Sequence, residues 1–259
     1  MNTDEEIEMY GYEDIEQIIA ENEAIQEAYD AAEALKPKLL FKYKSVTNCL
    51  ELERLCDILA NNTIYVPSAI ELNDPLEGTN AKSLSNNYAG REKILAQQRI
   101  LSLSSSCFLS TLWAHYAGNY SGICLGYRRR GAFANAKEVE YVKRQTIWSD
   151  APESGVPLSL NFKSDEWKYE QEWRLIYSVK EKNENFFLRY EQKELACVLL
   201  GCKMTPFIQD IIRKYVSPGV GIYTVFPDKQ KYCLYARKNA DCEGLYSVND
   251  ILNDLSIDI

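Results

Sequence analysis

Histidine is nearly absent from this chain: His115 is the one copy in 259 residues. A zinc site would therefore have to be built from scattered cysteines, and none of the eight (Cys49, Cys56, Cys107, Cys124, Cys197, Cys202, Cys233, Cys242) stands in C-x-x-C spacing. They sit mostly inside apolar runs, the pattern of buried free thiols in a reducing compartment, and no metal is expected. Long apolar runs are missing too: none approaches the roughly 18 to 20 residues that span a bilayer. The start, MNTDEEIEMY, is acidic where a secretory leader would be basic and then apolar. The expectation is a cytoplasmic protein without membrane attachment. No glycine-rich phosphate loop occurs, and neither a Ser-His-Asp nor a Cys-His arrangement can be assembled around one histidine with no nucleophile beside it.

Negative charge is plentiful but confined to one end. Residues 1–36 hold twelve Asp or Glu against Lys36, a balance of −11, while 37–259 hold 28 basic against 26 acidic residues, a balance of +2. The body thus lacks the broad positive field that duplex nucleic acid usually requires. The organisation read from this is an acidic helical appendage, 1–36, and one α+β domain, 37–259, long enough to bury a full core. Ile15, Ile18, Asn22, Ile25, Tyr29 and Ala32, spaced by three and four, predict a helix over 13–35. Its apolar stripe would dock on its own domain, on a second copy or on a partner, or the helix would act as a removable acidic lid.

In the body, strands are expected at 39–44, 63–66, 104–109, 122–127, 138–142, 169–179, 186–190, 195–200, 220–226 and 232–238. Helices are expected at 46–61, at 111–117 behind the N-cap Ser110, from Pro206 to about 215 behind Thr205, and after Ser247. Polar loops fill 77–99, with one helix inside, and 146–161. These elements describe mixed or antiparallel sheets with flanking helices.

Two clusters could carry chemistry. On a strand, Glu170, Glu172 and Arg174 share one face, successive members about 7 Å apart. Neighbouring carboxylates repel, which can split their pKa values and suit one to acid or base work, while the arginine holds the other ionised. The plain alternative is a solvated charge ladder. Lys163 and Trp167 add a cation and a flat ring, for a ligand pocket or simply for capping the core. The second cluster is Trp113-Ala114-His115-Tyr116, where His115 is either a proton donor or a half-buried helix residue.

Taken in order, Leu40-Phe41-Lys42-Tyr43-Lys44-Ser45, Asn73-Asp74-Pro75, Cys107-Phe108, Leu112-Trp113-Ala114-His115-Tyr116, Gly122-Ile123-Cys124-Leu125-Gly126-Tyr127, Val139-Glu140-Tyr141, Lys163-Ser164 and Trp167-Lys168-Tyr169-Glu170-Gln171-Glu172-Trp173-Arg174 resemble the bacterial domain of unknown function 2971, over residues 39 to 200. More distantly, a signature strand, a helix, a Ser-rich strand (Ser104 to Ser106) and a Glu-x-Glu strand resemble the layout of ADP-ribosyltransferases, which implies a split sheet. That likeness implies NAD as co-substrate, Glu172 stabilising the cationic ribose and Glu170 orienting or deprotonating an acceptor, protein or nucleic acid. The substrate-binding set expected is Tyr43, Lys44, Asn73, Asp74, Ser105, Trp113, Tyr116, Lys163, Trp167 and Arg174, with His115 a third catalytic candidate. The first strand departs from that pattern, carrying Lys42, Tyr43 and Lys44 where an Arg or His is usual. The leading expectation is an NAD-consuming transferase or glycohydrolase, in the setting of a toxin or phage-defence effector. The alternatives are a non-catalytic module recognising a nucleotide or phosphorylated ligand, and a carboxylate- and metal-dependent nucleic-acid hydrolase.

Overall fold

Along Leu39–Lys44 the side chains alternate in an extended chain, so successive residues enter opposite faces of a sheet. In the computed structural model, which describes residues 23, 26, 27, 33–77, 95–143, 158–181, 184–238 and 244–255, both faces are covered. The chain divides into two units, Met1–Pro37 and Lys38–Ile259, and every element named below belongs to the second. Most of the helix predicted over 13–35, the loop 78–94, most of 146–161 and Cys242 lie outside the described residues.

In chain order the elements are β1 (Leu39–Lys44), α1 (Cys49–Asn61), β2 (Thr63–Val66), β3 (Gln98–Ser104), α2 (Ser110–Tyr116), β4 (Ile123–Arg128), β5 (Lys137–Glu138), β6 (Glu140–Val142), β7 (Phe162–Ser164), β8 (Glu172–Ser178), β9 (Phe186–Arg189), β10 (Leu195–Leu200), α3 (Pro206–Tyr215), β11 (Gly221–Asp228), β12 (Cys233–Lys238) and α4 (Val248–Asp254). Eight strands form one mixed sheet in the order β12-β11-β10-β4-β1-β3-β8-β5, with β10 and β11 parallel and the other neighbours antiparallel. Two small pairs, β2 with β9 and β6 with β7, stand apart from it. The fold class is α+β, with helices on both sides of the sheet.

Leu40, Ile123, Leu125, Tyr127, Val198 and Leu200 pack on one side against Leu55, Ile58 and Leu59 of α1 and Ile212 of α3. Leu39, Phe41, Tyr43, Cys124, Cys197 and Leu199 pack on the other against Leu112 and Trp113 of α2 and Ile251 and Leu252 of α4. Ala196 and Cys197 fall in the same layer because the register between β10 and β4 shifts there.

Several expected elements move. The strand predicted at 104–109 is Gln98–Ser104, which is buried almost throughout and reads as a continuous run rather than an alternating one. The N-cap of α2 is Leu109, not Ser110. One strand at 138–142 becomes the separate β5 and β6, which join different sheets. Cys49 and Cys56, expected in the core on the helical pattern of 46–61, are exposed and half-buried, and Leu50 on the same helix is exposed.

Gly126 lies mid-sheet between Phe41 of β1 and Cys197 of β10. A Cβ there would meet the Cys197 Sγ at 2.5 Å and the Phe41 ring at 3.0 Å. Gly126→Ala is expected to cost about 1–3 kcal/mol of overpacking, read as a lower midpoint in urea unfolding. An unchanged midpoint would show that the sheet centre can relax.

Candidate functional site

The joint between β1 and β3 is the thinnest in the sheet. β1 and β3 pair at one position, Phe41 with Ser104, whereas β1 pairs with β4 at six positions and β3 with β8 at seven. Beyond that single rung the Ser102 carbonyl accepts from the Lys42 ammonium at 2.9 Å instead of from a backbone amide. A cleft of about 220 Å³ opens here, lined by both strands together with Asn73, Glu77, Tyr116, Lys163, Glu170, Glu172 and Arg174.

The strand predicted from 169 begins later. Asp165–Glu170 is a 3-10 helix, Gln171 turns through a left-handed conformation (φ 48, ψ 51), and β8 starts at Glu172. Gln171 is not glycine, so the corner needs outside support. The Ser-rich segment supplies it: Ser104 Oγ donates to the Glu170 carbonyl at 2.7 Å, Ser105 N to the Gln171 carbonyl at 3.0 Å, and Ser105 Oγ to Gln171 Oε1 at 3.0 Å. From the other side, Glu172 N donates to Tyr141 Oη at 2.8 Å. Ser105 thus braces the corner and does not line the cleft.

This corner brings both carboxylates to one ammonium. Lys163, on β7, donates to Glu170 Oε2 at 2.6 Å and to Glu172 Oε2 at 3.1 Å, and lies 3.1 Å from Glu77 Oε1. Arg174 clamps Glu172 from Nε to Oε1 at 2.7 Å and from Nη2 to Oε2 at 2.8 Å, and also donates to Glu77 Oε1 at 2.9 Å and to the Leu160 carbonyl at 2.9 Å. All five side chains are buried, Arg174 to within 2% of its surface. The solvated charge ladder is therefore excluded: this is a dry ion network, held by geometry that offsets a desolvation cost of several kcal/mol per ion.

The network polarises its members in different directions. Burial would raise the Glu172 carboxyl, but the charge and hydrogen bonds of Arg174, with Lys163 and Ser102, outweigh it and hold the pKa at about 2. For Glu77 burial prevails over Arg174 and Lys163, and its pKa is raised. Lys163 and Arg174 are both raised, burial notwithstanding, because carboxylates surround them, Glu172 foremost. Lys42 goes the other way: burial, then Lys44, lower it to about 8 against the pull of Glu172 and Glu170. Tyr116, raised by burial and by its bond to Glu170, stays a phenol that donates to Glu170 Oε1 at 2.7 Å and accepts from Asn73 Nδ2 at 2.6 Å.

Of the residues named from sequence, Glu170, Glu172, Arg174, Lys163, Tyr116, Asn73 and Tyr43 meet at the cleft. Tyr43 is mostly core, its hydroxyl donating to the Ser106 carbonyl at 2.9 Å. Trp167 stands behind the cleft with its ring 4.6 Å from Lys163 Nζ, a cation-capping ring rather than a lining one. Trp113 is fully buried, donating to the Cys107 carbonyl at 2.8 Å and meeting Tyr43 edge-on, so it serves the core. His115, expected to be half-buried or catalytic, is exposed on α2 and off the cleft lining. Lys44 is off the lining too, and Asp74 shapes the turn by accepting from Leu76 N at 2.9 Å. Lys42 and Glu77 were not singled out as site residues. Lys42 could have been, as a charge flanked by Phe41 and Tyr43 in β1, but nothing around Glu77 marks it.

Residues 112–175 match the sequence model of a family described as protein of unknown function (DUF2971). The likeness covers 64 of the 259 residues and is a likeness of that segment. The DUF2971 segment carries Tyr116, Lys163, Glu170, Glu172 and Arg174, while Lys42, Tyr43, Asn73 and Glu77 come from outside it. No curated protein and no solved structure matches the chain. The likeness to ADP-ribosyltransferases accordingly rests on layout alone.

Two outcomes test the network. Arg174→Met leaves Glu172 and Glu77 without their guanidinium and is expected to cost about 3–5 kcal/mol in urea unfolding at pH 7. For Glu172, a folded pKa of about 2 against an ordinary 4.5 means that its contribution is complete above pH 4.5 and lost as pH falls toward 2. Glu172→Gln should therefore be less stable at pH 7 and show a shallower fall in stability across that window. Identical acid profiles would refute the pairing.

Proposed function

We propose that the cleft is the active site of an enzyme that cleaves or transfers an N-ribosyl group, with NAD as its co-substrate and Glu170 as its working carboxylate. One observation carries this reading: of the three buried carboxylates that share Lys163, Glu77 and Glu172 are also held by the Arg174 guanidinium, whereas Glu170 instead accepts from the Tyr116 hydroxyl on the cleft wall. Glu172 is neutralised by the two-point clamp of Arg174, so it organises the site. The layout resemblance puts Glu172 at the centre; the clamp favours Glu170.

An oxocarbenium-like transition state gains from a fixed negative charge beside the sugar ring in a site with little water. The C1′–N bond breaks with its electron pair passing to the nicotinamide nitrogen, which leaves neutral. Water or an acceptor hydroxyl then attacks C1′ and yields its proton to Glu170. Tyr116, kept protonated, can turn its donor from Glu170 to a sugar hydroxyl as the ligand enters. The volume suits part of the co-substrate: at about 220 Å³ the cleft lies below the roughly 300–1,000 Å³ of pockets that enclose drug-sized ligands. A ribose with the groups bonded directly to it would enter the cleft and the remaining nucleotide would stay outside. A toxin or phage-defence role belongs to this same reading.

A second reading, recognition without turnover, is favoured by the fact that the oxygens of Glu170 and Glu172 all have partners already. The same pairing disfavours a metal-dependent hydrolase, because Lys163 and Arg174 occupy the positions a cation would take.

Incubation of the full chain with NAD is expected to release nicotinamide, and Glu170→Gln to slow release by about 10²-fold or more. No release from the native chain would sink the enzyme reading. A raised melting temperature with NAD or ADP-ribose in that case would support the second.

A further inference from the structure

Two groups on the cleft wall lack a full set of partners. An ammonium has three donors, and Lys42 places one, on the Ser102 carbonyl at 2.9 Å, while forming no ion pair among the described residues. Glu77 uses Oε1 for both Lys163 and Arg174, but its Oε2 has no hydrogen-bond partner among the described residues although the side chain is 2% exposed. In a low-dielectric site an unmet donor or acceptor is costly, so a ligand that answers both is strongly favoured.

The two groups ask for different things. Lys42 is donor-only and cationic, and among the described residues it is the one cation lining the cleft not already committed to a carboxylate. Glu77 Oε2 takes a donor when ionised and gives one when protonated, and a hydroxyl serves either state. With Lys42 protonated, its charge and those of Lys163 and Arg174 balance Glu77, Glu170 and Glu172; the exposed Glu71 is the lining carboxylate left over, so an anion has to be met by Lys42 itself.

We propose that the cleft binds a phosphorylated sugar, with the phosphate on Lys42 and a sugar hydroxyl on Glu77 Oε2. This rests on the cleft being the ligand site and narrows its ligand to a sugar phosphate or the phosphorylated ribose of a nucleotide. The depressed pKa of Lys42, about 8 beside Lys44, Glu170 and Glu172, adds a dependence: the phosphate meets a full charge below that pH and a fading one above it.

Calorimetric titration of the full chain with ribose 5-phosphate, ribose and inorganic phosphate tests this. At pH 7 ribose 5-phosphate is expected to bind at least about tenfold more tightly than either fragment. Its margin over ribose should shrink by pH 9 in the native chain and vanish in Lys42→Gln, so a variant that fails to fold leaves the pH comparison in place. No margin over ribose at pH 7, or a margin unchanged at pH 9 and in Lys42→Gln, overturns the phosphate contact. Inorganic phosphate binding as tightly as the sugar phosphate overturns the Glu77 contact. Phosphate preference without nicotinamide release from NAD would reject the N-ribosyl reading while upholding this one.

Discussion

The ammonium of Lys163 is the point on which the site is built. It stands within 3.1 Å of oxygens from Glu77, Glu170 and Glu172, the first of which lies 93 residues before the segment that carries the other two. Three carboxylates cannot share a dry volume unless cations hold them apart, and Arg174 supplies the second. Removing either cation would leave uncompensated charge, so the corner at Gln171, the seating of β7 and the turn that delivers Glu77 are mutually dependent. The rigidity that results suits a site that needs its groups fixed before a ligand arrives.

The network also sorts its members into roles. A carboxylate gripped at two points by a guanidinium is a poor partner for a ligand, whereas one bonded to a lysine and a phenol can exchange the phenol for a hydroxyl of similar geometry. Glu172 is the first kind and Glu170 the second. Lys42, paired with a carbonyl and no carboxylate, is the most adaptable charge in the cleft.

Much of this was legible in the sequence, and the limits are instructive. β2 and β10 fall where alternation and β-branched runs put them, and Pro206 and Ser247 mark their helices. The Glu170, Glu172 and Arg174 grouping is recoverable because spacing alone brings those residues together, whatever the backbone between them does. The backbone was not recoverable: a left-handed Gln171 leaves no mark in the residue type, and a strand reading carries straight through it. Burial was hidden as well, since four charges in the seven residues 168–174 read as surface until Lys163 and Glu77, 7 and 93 residues from Glu170, are seen beside them. His115 misled for the opposite reason. Its chemistry is versatile, but its place on the outer side of α2 keeps it from the cleft.

The single rung between β1 and β3 has a mechanical meaning. It divides the eight strands into a five-strand board, β12 to β1, and a three-strand board, β3 to β5, fastened by Phe41 with Ser104 and by side-chain ties from Lys42 to Ser102 and Tyr43 to Ser106. Lys42 sits on one board, and Glu170, Glu172 and Arg174 are anchored to the other. Few backbone pairings cross the seam, so its closure rests on those side-chain ties and on the core in which Leu40 of one board packs with Leu101 and Leu103 of the other.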